Sequence, residues 1–347
     1  MKYTAAIIGC GRVAWMLEDD PLETKPCTHM GAYQRVGGDS DRVGVIAAAD
    51  RDSVRLEAFG KRFGVACLYA DYRAMLREVR PDIVSVCAWA PDRFRMVMDS
   101  IDAGVRGIWC EKAFATSLDE GRAMIEAART DGVSLIVSHM RRWSPDYAMA
   151  KEIIENGGIG RLQSMVAHFG GSLIHTGTHA FDILRWFGGP VEWVQGALET
   201  DRGTLPWDIK EDLGGNAFIQ FKNGVKAVVL ADSKSYFFFE FDIIGSAGRI
   251  RIGNNDLLEY YAPGPSGHYT GLKELEKKPF PLFEQKNIWT EALNNLLDCV
   301  DKKGENRSGP EEGLDALEMA LSIHESSRKN GARVHIPLNS DIKVRSR

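Results

Sequence analysis

The sequence has few cysteines and no paired cysteine motif. Its six cysteines are scattered over 347 residues without a C-x-x-C pair, and several lie inside apolar runs. This usage is typical of buried thiols in a reducing compartment rather than of a disulfide framework. We therefore expect a cytoplasmic protein.

Long hydrophobic runs are also missing. No apolar stretch reaches the roughly 20 residues that a membrane-spanning helix needs. The amino-terminal MKYTAAIIGCG has only a short apolar run that leads into a glycine turn, which indicates a first strand and not a signal peptide. We expect no membrane association.

An excess of positive charge is the third absence. The formal net charge is −5, and basic residues occur only in small clusters, so we expect no nucleic-acid partner. The composition, with 44% hydrophobic and 26% charged residues, is that of a globular protein. A chain of 347 residues exceeds the roughly 250–300 residues of one hydrophobic core, which predicts two domains.

Residues 1–143 alternate short apolar runs with segments of helical periodicity. The runs are TAAIIG, VGVIAAAD, IVSVCAWA, RGIWCEK and SLIVSHM, and Ser117–Glu120 is a capping box that begins one of the helices. Apolar strands that alternate with helices predict a parallel sheet covered on both faces. The fold class is therefore α/β.

Residues 144–347 have a different pattern. A helix near Ser144–Asn156 precedes strands joined by short turns, LQSMVAHFGG, VEWVQGAL, GGNAFIQF, GVKAVVLAD, FFFEFDIIG and RIRIG, which predict a mostly antiparallel sheet. Helices near Glu284–Asp301 and Pro310–Asn330 and a last strand, ARVHIPL, complete the segment. We leave open whether the last helix and strand pack back near the first domain.

A glycine-rich turn directly follows the first strand. In Gly9-Cys-Gly11-Arg-Val-Ala14, the first glycine permits the bend and the second lets the backbone approach a pyrophosphate. The third position needs a small residue where the helix packs on the strand. The motif predicts a dinucleotide site with contacts from Gly9, Gly11, Arg12 and Val13.

The second strand ends at Asp50, whose carboxylate can accept hydrogen bonds from ribose hydroxyls. A carboxylate repels the 2′-phosphate of NADP and favours NAD, whereas the neighbouring Arg51 could pair with that phosphate and leaves NADP open. Asp50 follows Gly11 by 39 residues instead of the roughly 20 of the motif. The segment 15–28, WMLEDDPLETKPCT, explains the excess as an insertion.

Further candidates follow the next strands. Ligands of an open parallel sheet bind outside the carboxyl ends of its strands. Ala88 and Trp89 follow the third strand, and Glu111-Lys112 follows the fourth. We predict cofactor contacts from Ala88, Trp89 and Glu111, with the Lys112 ammonium entering the crevice where the nicotinamide lies.

The segment LIHTGTHAFDILRWFGG predicts a helix with one polar stripe. His175, His179, Asp182 and Trp186 fall at i, i+4, i+7 and i+11, and the rest is apolar. Buried polar groups cost free energy unless they are paired, so the stripe is either a site in a cleft or a set of core histidines bonded to the backbone. The pair lacks the glutamate of H-E-x-x-H and a third ligand, and we predict no metal.

In combination these features resemble the Gfo/Idh/MocA family of oxidoreductases. The resemblance spans nearly the whole chain and rests on IIGCGRVA, YADYRAML, Glu111-Lys112, GGSLIHTGTHAFDILRWFGG, FKNGVKAVV and IIGSAGRIRI. It implies a Rossmann NAD(P)-binding domain at 1–143. It also implies an α/β domain at 144–347 whose large, mostly antiparallel open sheet serves substrate binding and homodimer or homotetramer contacts. The substrate would be a sugar, a cyclitol or a related carbohydrate.

The resemblance also implies residue roles and shows two departures. Lys112 would contact substrate and nicotinamide, and His179 would transfer the proton. Ala113 stands where the family usually has proline, so we expect a special backbone geometry to be lost there. His175 stands where the family has aspartate, so its role is open: it could bind the substrate or orient His179.

The implied chemistry is physically reasonable. Oxidation of a secondary alcohol releases a proton that an imidazole can accept near neutral pH, and a lysine cation stabilises the developing alkoxide. Asp182 would orient the histidine. Candidate pocket residues, which core or solvated positions would explain equally well, are Arg142, Trp143, His168, Trp207 and Asp212.

Three functions remain after this reading. The first is a dehydrogenase or reductase that uses free NAD(P). The second is an epimerase, lyase or glycoside-cleaving enzyme that oxidises its substrate transiently with tightly bound NAD. The third is a nucleotide-binding regulator without catalysis, against which intact Lys112 and His179 argue.

Overall fold

The structure, a computed structural model, describes residues 2–200, 211–232 and 236–346. The chain forms two compact units. Unit 1 contains Met1–Trp143 and Lys286–Leu314, and unit 2 contains Ser144–Gln285 and Asp315–Ser346. The sequence predicts all of 144–347 in one domain, whereas the structure packs 286–314 into unit 1.

Unit 1 is built on a parallel sheet of six strands in the order β3-β2-β1-β4-β5-β6. The strands are β1 (Tyr3–Ile8), β2 (Val43–Ala49), β3 (Cys67–Tyr69), β4 (Ile83–Val86), β5 (Gly107–Cys110) and β6 (Ser134–Val137). This is the strand order of the dinucleotide-binding Rossmann fold. The predicted parallel sheet is confirmed.

Five α-helices of unit 1 precede residue 131, and all but the fourth begin at polar caps that the sequence marks. They are α1 (His29–Ser40), α2 (Ser53–Phe63), α3 (Tyr72–Val79), α4 (Ala90–Asp102) and α5 (Leu118–Thr130). Side chains of Thr28, Asp52, Asp71 and Ser117 each accept an amide of the first turn. Such caps satisfy N–H groups that have no partner within the helix.

Unit 2 is built on a mixed sheet of nine strands in the order β14-β13-β12-β11-β7-β10-β9-β8-β15. Its elements up to β14 are α6 (Pro145–Glu155), β7 (Leu162–Gly170), α7 (Gly177–Gly188), β8 (Val191–Leu198), β9 (Gly215–Phe221), β10 (Lys226–Asp232), β11 (Phe239–Gly245), β12 (Gly248–Gly253), β13 (Leu258–Pro265) and β14 (Lys273–Lys278). β7 and β10 pair in parallel, and the other recorded pairs are antiparallel. The predicted mostly antiparallel sheet is confirmed.

Helix α7 covers one face of this sheet. Along β7, Met165, Ala167 and Phe169 are buried, and His168 between them is exposed. The Phe169 ring meets Phe181 of α7 edge to face, with ring centroids 6.5 Å apart. His168 therefore lies on the open face, opposite α7.

The carboxy-terminal elements belong to different units. They are α8 (Ile288–Val300), α9 (Pro310–Arg328) and β15 (Val334–His335). Leu293, Leu296 and Leu297 of α8 are completely buried in the core of unit 1, whereas β15 pairs with β8 in unit 2. Within the described residues, α8 rather than the last strand therefore completes the first domain.

Two further structural features bear on the sequence expectations. The described ranges contain no helix with the length and apolar character to cross a membrane. All six cysteines are free thiols, and of these Cys67 is exposed.

Candidate active site

The strands of unit 1 bring the predicted cofactor residues to one edge of the sheet. Ile8 pairs in register with Ala49 and Val86, and Cys110 pairs with Val86 and Val137. The residues that follow these strand ends therefore start from the same level of the sheet. They include Gly9, Asp50, Ala88, Trp89, Glu111 and Lys112.

The glycine turn has the two different glycine environments that a dinucleotide site needs. Gly9 has φ +91°, and a Cβ there would lie 3.1–3.2 Å from backbone atoms of Cys87 and Ala88. Gly11 is open, because a Cβ there would meet only the Arg55 guanidinium, at 3.9 Å. The space beside Gly11 fits the approach of a phosphate group.

Asp50 fixes this turn, a role that the sequence did not reveal. Its Oδ2 accepts the backbone N–H of Cys10 at 2.7 Å, and its Oδ1 accepts the N–H of Asp52 at 2.8 Å. A carboxylate oxygen has more than one lone pair, so Asp50 can hold the turn and still accept a ribose hydroxyl.

The insertion at 15–28 separates the glycine turn from α1 in the sequence but not in the hydrogen-bond pattern. The amide of His29 donates to the Val13 carbonyl at 3.2 Å, and the amide of Met30 donates to the Ala14 carbonyl at 2.9 Å. These bonds continue the helical ladder from the glycine turn into α1 as if the insertion were absent. The insertion therefore leaves the turn-to-helix geometry intact, which explains the long spacing from Gly11 to Asp50.

The insertion is folded on its own polar contacts. Glu18 Oε1 accepts the N–H of Cys27 at 2.7 Å and the hydroxyl of Thr28 at 2.8 Å. Asp19 pairs with Arg62 of α2 at 2.7 Å. The segment therefore rests on the start of α1 and on α2.

Glu111 is a buried carboxylate inside a polar chain. His29 Nε2 lies 3.1 Å from its Oε1, His29 Nδ1 lies 3.0 Å from Ser85 Oγ, and Tyr33 Oη lies 2.9 Å from the same hydroxyl. Burial raises the pKa of Glu111, but the hydrogen bond and charge of His29, the charge of Lys112 and a hydrogen bond from Ser138 outweigh it and lower the pKa to about 2. Glu111 stays a predicted cofactor contact, yet its carboxylate has a partner within the unit.

Arg93 joins the loops that follow β4 and β5. Its buried guanidinium donates to the Ala88 carbonyl at 2.6 Å and to the Ala113 carbonyl. Burial lowers the pKa of Arg93. A single arginine in a helix forms no sequence motif, so the sequence analysis did not identify Arg93 as a link between these loops. It did not identify His29 as the partner of Glu111 either.

Lys112 lies half-buried next to Glu111. The Lys112–Ala113 peptide bond is cis. The residue after Lys112 in this bond is Ala113, at the position where the family usually has proline.

The histidine stripe of unit 2 is split between a turn and a helix. His179, Asp182 and Trp186 lie on α7, whereas His175 lies in the turn before Gly177, where α7 begins. The single helix expected through His175 is therefore wrong at its first residue. His175 and His179 are half-buried, and Asp182 is buried.

The predicted substrate-pocket residues lie in different environments. Trp143 is a core residue of unit 1, with its indole N–H 3.2 Å from Asn295 Oδ1, and Arg142 beside it is also buried. His168 lies on the open face of the sheet, so we do not keep it in the site. Trp207 lies outside the described residues.

Three of the predicted cofactor-contact residues have exposed side chains. Arg12 and Arg51 are exposed, and Arg51 lies 3.6 Å from Asp92. Trp89 is 55% exposed at the start of α4. In the part of the chain that the structure describes, no group of three His, Cys, Asp or Glu residues could hold a metal ion.

Comparison with known families matches both parts of the chain. A family model described as "Oxidoreductase family, NAD-binding Rossmann fold" matches residues 4–139. A second, described as "GFO/IDH/MocA C-terminal domain", matches residues 167–251. Unit 1 therefore contains an NAD-binding Rossmann domain.

Two of the similar curated proteins are a sugar dehydrogenase and a cyclitol dehydrogenase. D-apiose dehydrogenase of Paraburkholderia graminis is 25% identical, with 94% of this chain and 88% of that protein aligned. Inositol 2-dehydrogenase of Burkholderia multivorans is 31% identical, over 54% of this chain and 55% of its own length.

Solved structures share the fold across nearly the whole chain. The WlbA dehydrogenase of Bordetella pertussis, in complex with NADH and UDP-GlcNAcA, has a TM-score of 0.78 and 21% identity, covering 98% of this chain and 100% of that one. Levoglucosan dehydrogenase in complex with NADH has a TM-score of 0.79 and 19% identity, covering 97% of this chain and 100% of that one. At these identities the likeness concerns the fold alone.

Proposed function

Since this chain belongs to the Gfo/Idh/MocA family of oxidoreductases, we propose that it is an NAD-dependent dehydrogenase or reductase. It transfers a hydride between nicotinamide and a secondary alcohol or ketone of a sugar, a cyclitol or a related carbohydrate. The observation that carries this proposal is the common strand edge of unit 1, where the glycine turn, Asp50 and Lys112 follow strand ends in register. Relatives that act on apiose and inositol support the substrate class.

Lys112 and His179 handle the proton in this proposal. Bound nicotinamide supplies the hydride acceptor for alcohol oxidation and the hydride donor for ketone reduction. The His179 imidazole accepts the hydroxyl proton, because its ordinary pKa lies near neutrality. The Lys112 ammonium donates a hydrogen bond to the substrate oxygen and stabilises the negative charge that develops there.

His175 and Asp182 have supporting roles. Asp182 is buried on the helix that carries His179, a place from which a carboxylate can orient an imidazole. His175 binds a substrate hydroxyl from the turn before α7.

NAD rather than NADP is the preferred cofactor. The Asp50 carboxylate repels a 2′-phosphate, whereas Arg51 is 84% exposed at its side chain and lies near the carboxylate of Asp92. A contact between such an exposed arginine and the 2′-phosphate of NADP would contribute little binding energy. We expect weaker but measurable binding of NADP.

The proposal also covers the cellular compartment and the oligomeric state of the enzyme. It acts in the cytoplasm without a nucleic-acid partner, as a homodimer or homotetramer through the open face of the unit 2 sheet. Phe218 and Leu230 on that face are 38% and 39% exposed, and such a contact would cover their apolar side chains.

A substrate screen tests the proposed function. Purified protein receives NAD or NADP and a panel of sugars, cyclitols and glycosides, with and without chelator, and absorbance of reduced nicotinamide is followed together with product chromatography. We expect reduction of NAD that the chelator does not affect. Lys112→Ala and His179→Ala should each lower kcat about 100-fold or more, whereas the exposed control variants Lys303→Ala and His268→Ala should retain it.

The other outcomes contradict the proposal in different ways. Product without net nicotinamide reduction, from protein that copurifies with NAD, would establish transient oxidation instead. Nucleotide binding without turnover of any compound would favour a regulator. Loss of activity with chelator would mean that a metal takes part.

A further inference from the structure

Asp212 of unit 2 binds the turn that precedes α7. Its Oδ1 accepts the amide of Ile174 at 2.9 Å, and its Oδ2 accepts the amide of His175 at 2.8 Å and the hydroxyl of Ser172 at 2.8 Å. Asp212 is 5% exposed. A buried carboxylate needs this number of donors, because it lacks water partners.

The chain next to Asp212 completes the same attachment. The amide of Leu173 donates to the Leu213 carbonyl at 2.9 Å. Three consecutive amides of the turn, those of residues 173 to 175, are therefore held by residues 212 and 213. These N–H groups lie at the amino-terminal side of a helical turn, where a negative charge is favourable.

The carboxy-terminal segment supplies a fourth donor. The hydroxyl of Ser346 donates to Asp212 Oδ2 at 2.7 Å, and Ser346 is completely buried. The amide of Arg345 donates to Glu211 Oε2 at 3.1 Å, and Val344 is also buried. Ser346 thus shares Asp212 Oδ2 with the amide of His175 and the hydroxyl of Ser172.

The attachment reaches the histidines through the backbone. Asp212 binds the amide of His175 itself. The amide of His179 donates to the Thr176 carbonyl at 3.2 Å, and the amide of Gly177 donates to the Ser172 carbonyl at 2.9 Å. Displacement of the turn would therefore move His175 and the first residues of α7 together.

We propose that Asp212, completed by Ser346, is a positioning residue that sets the reactive placement of His175 and His179. This inference rests on the proposed function, in which the two histidines act on the substrate. It also assigns a role to the carboxy-terminal segment, which is to hold the Asp212 carboxylate in place. The sequence analysis interprets Asp212 as a residue that lines the substrate pocket. That role does not require the hydrogen bonds described here.

Replacement by asparagine tests the charge and the acceptor set with little change in volume. An amide side chain has one acceptor oxygen and one NH2 donor, so Asp212→Asn places an NH2 group against N–H or O–H donors. Ser346→Ala removes a single donor and is the milder variant. Asp242→Asn is the control, because Asp242 is a paired carboxylate of the same unit that contacts Arg249 instead.

The first readout is kinetic. We expect Asp212→Asn to lower kcat at least about tenfold and Ser346→Ala to lower it less, while the Kd for NAD, a property of unit 1, stays within about twofold. The pH profile of kcat/KM should shift in Asp212→Asn, because the turn before the helix of His179 is displaced. The variant also acts on buried His324, whose pKa burial lowers and the charge of Asp212 raises. Wild-type kcat and pH profile in Asp212→Asn, or an activity loss that equals the unfolded fraction by circular dichroism, would overturn the proposal.

The second readout does not depend on activity. Amide hydrogen exchange of peptides covering residues 172–180 should be at least about tenfold faster in Asp212→Asn and should keep the wild-type rate in Asp242→Asn. Unchanged exchange in Asp212→Asn overturns the positioning role even if the enzyme is active. Faster exchange in Asp212→Asn, together with a wild-type protein that oxidises no carbohydrate, would refute the proposed function and leave the attachment of the turn established.

Discussion

At the scale of single residues, Glu111 has its main partner far away in the chain. His29, which binds its carboxylate, lies 82 positions earlier. The carboxylate is buried and yet its pKa is lowered to about 2, so the folded protein holds a negative charge beside Lys112. Loss of His29 would take a hydrogen-bond partner from this buried carboxylate, which costs roughly 1–3 kcal/mol, or more for a charged group.

The pH dependence of stability follows from this lowered pKa. Because the ordinary pKa of Glu111 is 4.5 and the folded value is about 2, its stabilising contribution is complete above pH 4.5 and is lost as the pH falls toward 2. Between pH 7 and pH 3 the loss is about 2 kcal/mol, since one pKa unit corresponds to roughly 1.4 kcal/mol.

Glu111→Gln should therefore flatten this dependence. Urea unfolding at pH 7 and pH 3 measures the difference in unfolding free energy for both proteins. We expect the difference to be about 2 kcal/mol smaller in the variant. An identical pH dependence would show that Glu111 is not the group that titrates.

Gly9 and Gly11 form a matched pair. Gly9→Ala meets both a positive φ and backbone contacts of 3.1–3.2 Å, so it should lower the unfolding free energy by more than about 1 kcal/mol. Gly11→Ala has room in the folded protein and should leave Tm unchanged. It should raise the Kd for NAD at least about tenfold, because the methyl group fills the space for the pyrophosphate. Equal effects of the two variants on Tm would contradict this assignment.

The predictable residues are those with a local signal. Gly9, Gly11, Asp50 and Lys112 follow apolar strand runs, and the parallel fold then brings strand ends together. His29 gives no such signal, because the insertion separates it from the glycine turn. If residues 16–27 are left out of the sequence, His29 falls about one helical turn after Ala14. This helical spacing is the signal that could have identified His29.

At the scale of elements, the insertion is an addition to an intact helix. The bonds from His29 to Val13 and from Met30 to Ala14 already close the helical ladder. Deletion of Met16–Cys27 would connect Trp15 directly to Thr28 and restore the continuous spacing of a helix.

We expect this deletion variant to fold and to bind NAD with a Kd within about tenfold of the wild-type value. Among the contacts that it loses are the partly exposed Asp19–Arg62 pair, the bond from the Thr28 hydroxyl to Glu18 and the bond from the Asn287 amide to the Pro26 carbonyl. An exposed pair contributes about 0–1 kcal/mol and a hydrogen bond about 0.5–1.5 kcal/mol, so the deletion should lower stability without unfolding the protein. Circular dichroism and NAD titration measure both properties. Unfolding, or loss of NAD binding in a folded variant, would show that the insertion is part of the cofactor site.

The sequence missed three strands and the domain to which α8 belongs. The first of these strands, β3, has only three residues, too few for a periodic pattern. β13 contains Pro263 and Pro265, and β14 is KELEKK; neither has the apolar alternation of a half-buried strand. The placement of α8 in unit 1 comes from its packing against residues more than a hundred positions earlier. Helical periodicity reports which face of a helix is buried and not which domain buries it.

At the scale of the whole molecule, the open sheet face predicts the assembly. We expect a dimer or tetramer in light scattering of the wild-type protein. Phe218→Glu should shift it toward the monomer, because a charge on the face would be buried without a partner. Val54→Glu, at an exposed apolar residue of α2, is the control and should keep the wild-type mass. A monomeric wild-type protein would contradict the assembly and leave the chemistry untouched.

The central claim is that this chain moves a hydride between a carbohydrate carbon and NAD, with Lys112 and His179 handling the proton. The most direct measurement uses the substrate found in the screen, deuterated at the carbon that is oxidised, and follows the label by mass spectrometry. We expect one reduced nicotinamide per oxidised product, with the deuterium in the nicotinamide, and loss of this transfer in both Lys112→Ala and His179→Ala. Deuterium that returns to the product without net NADH, or wild-type transfer in both variants, would contradict the claim.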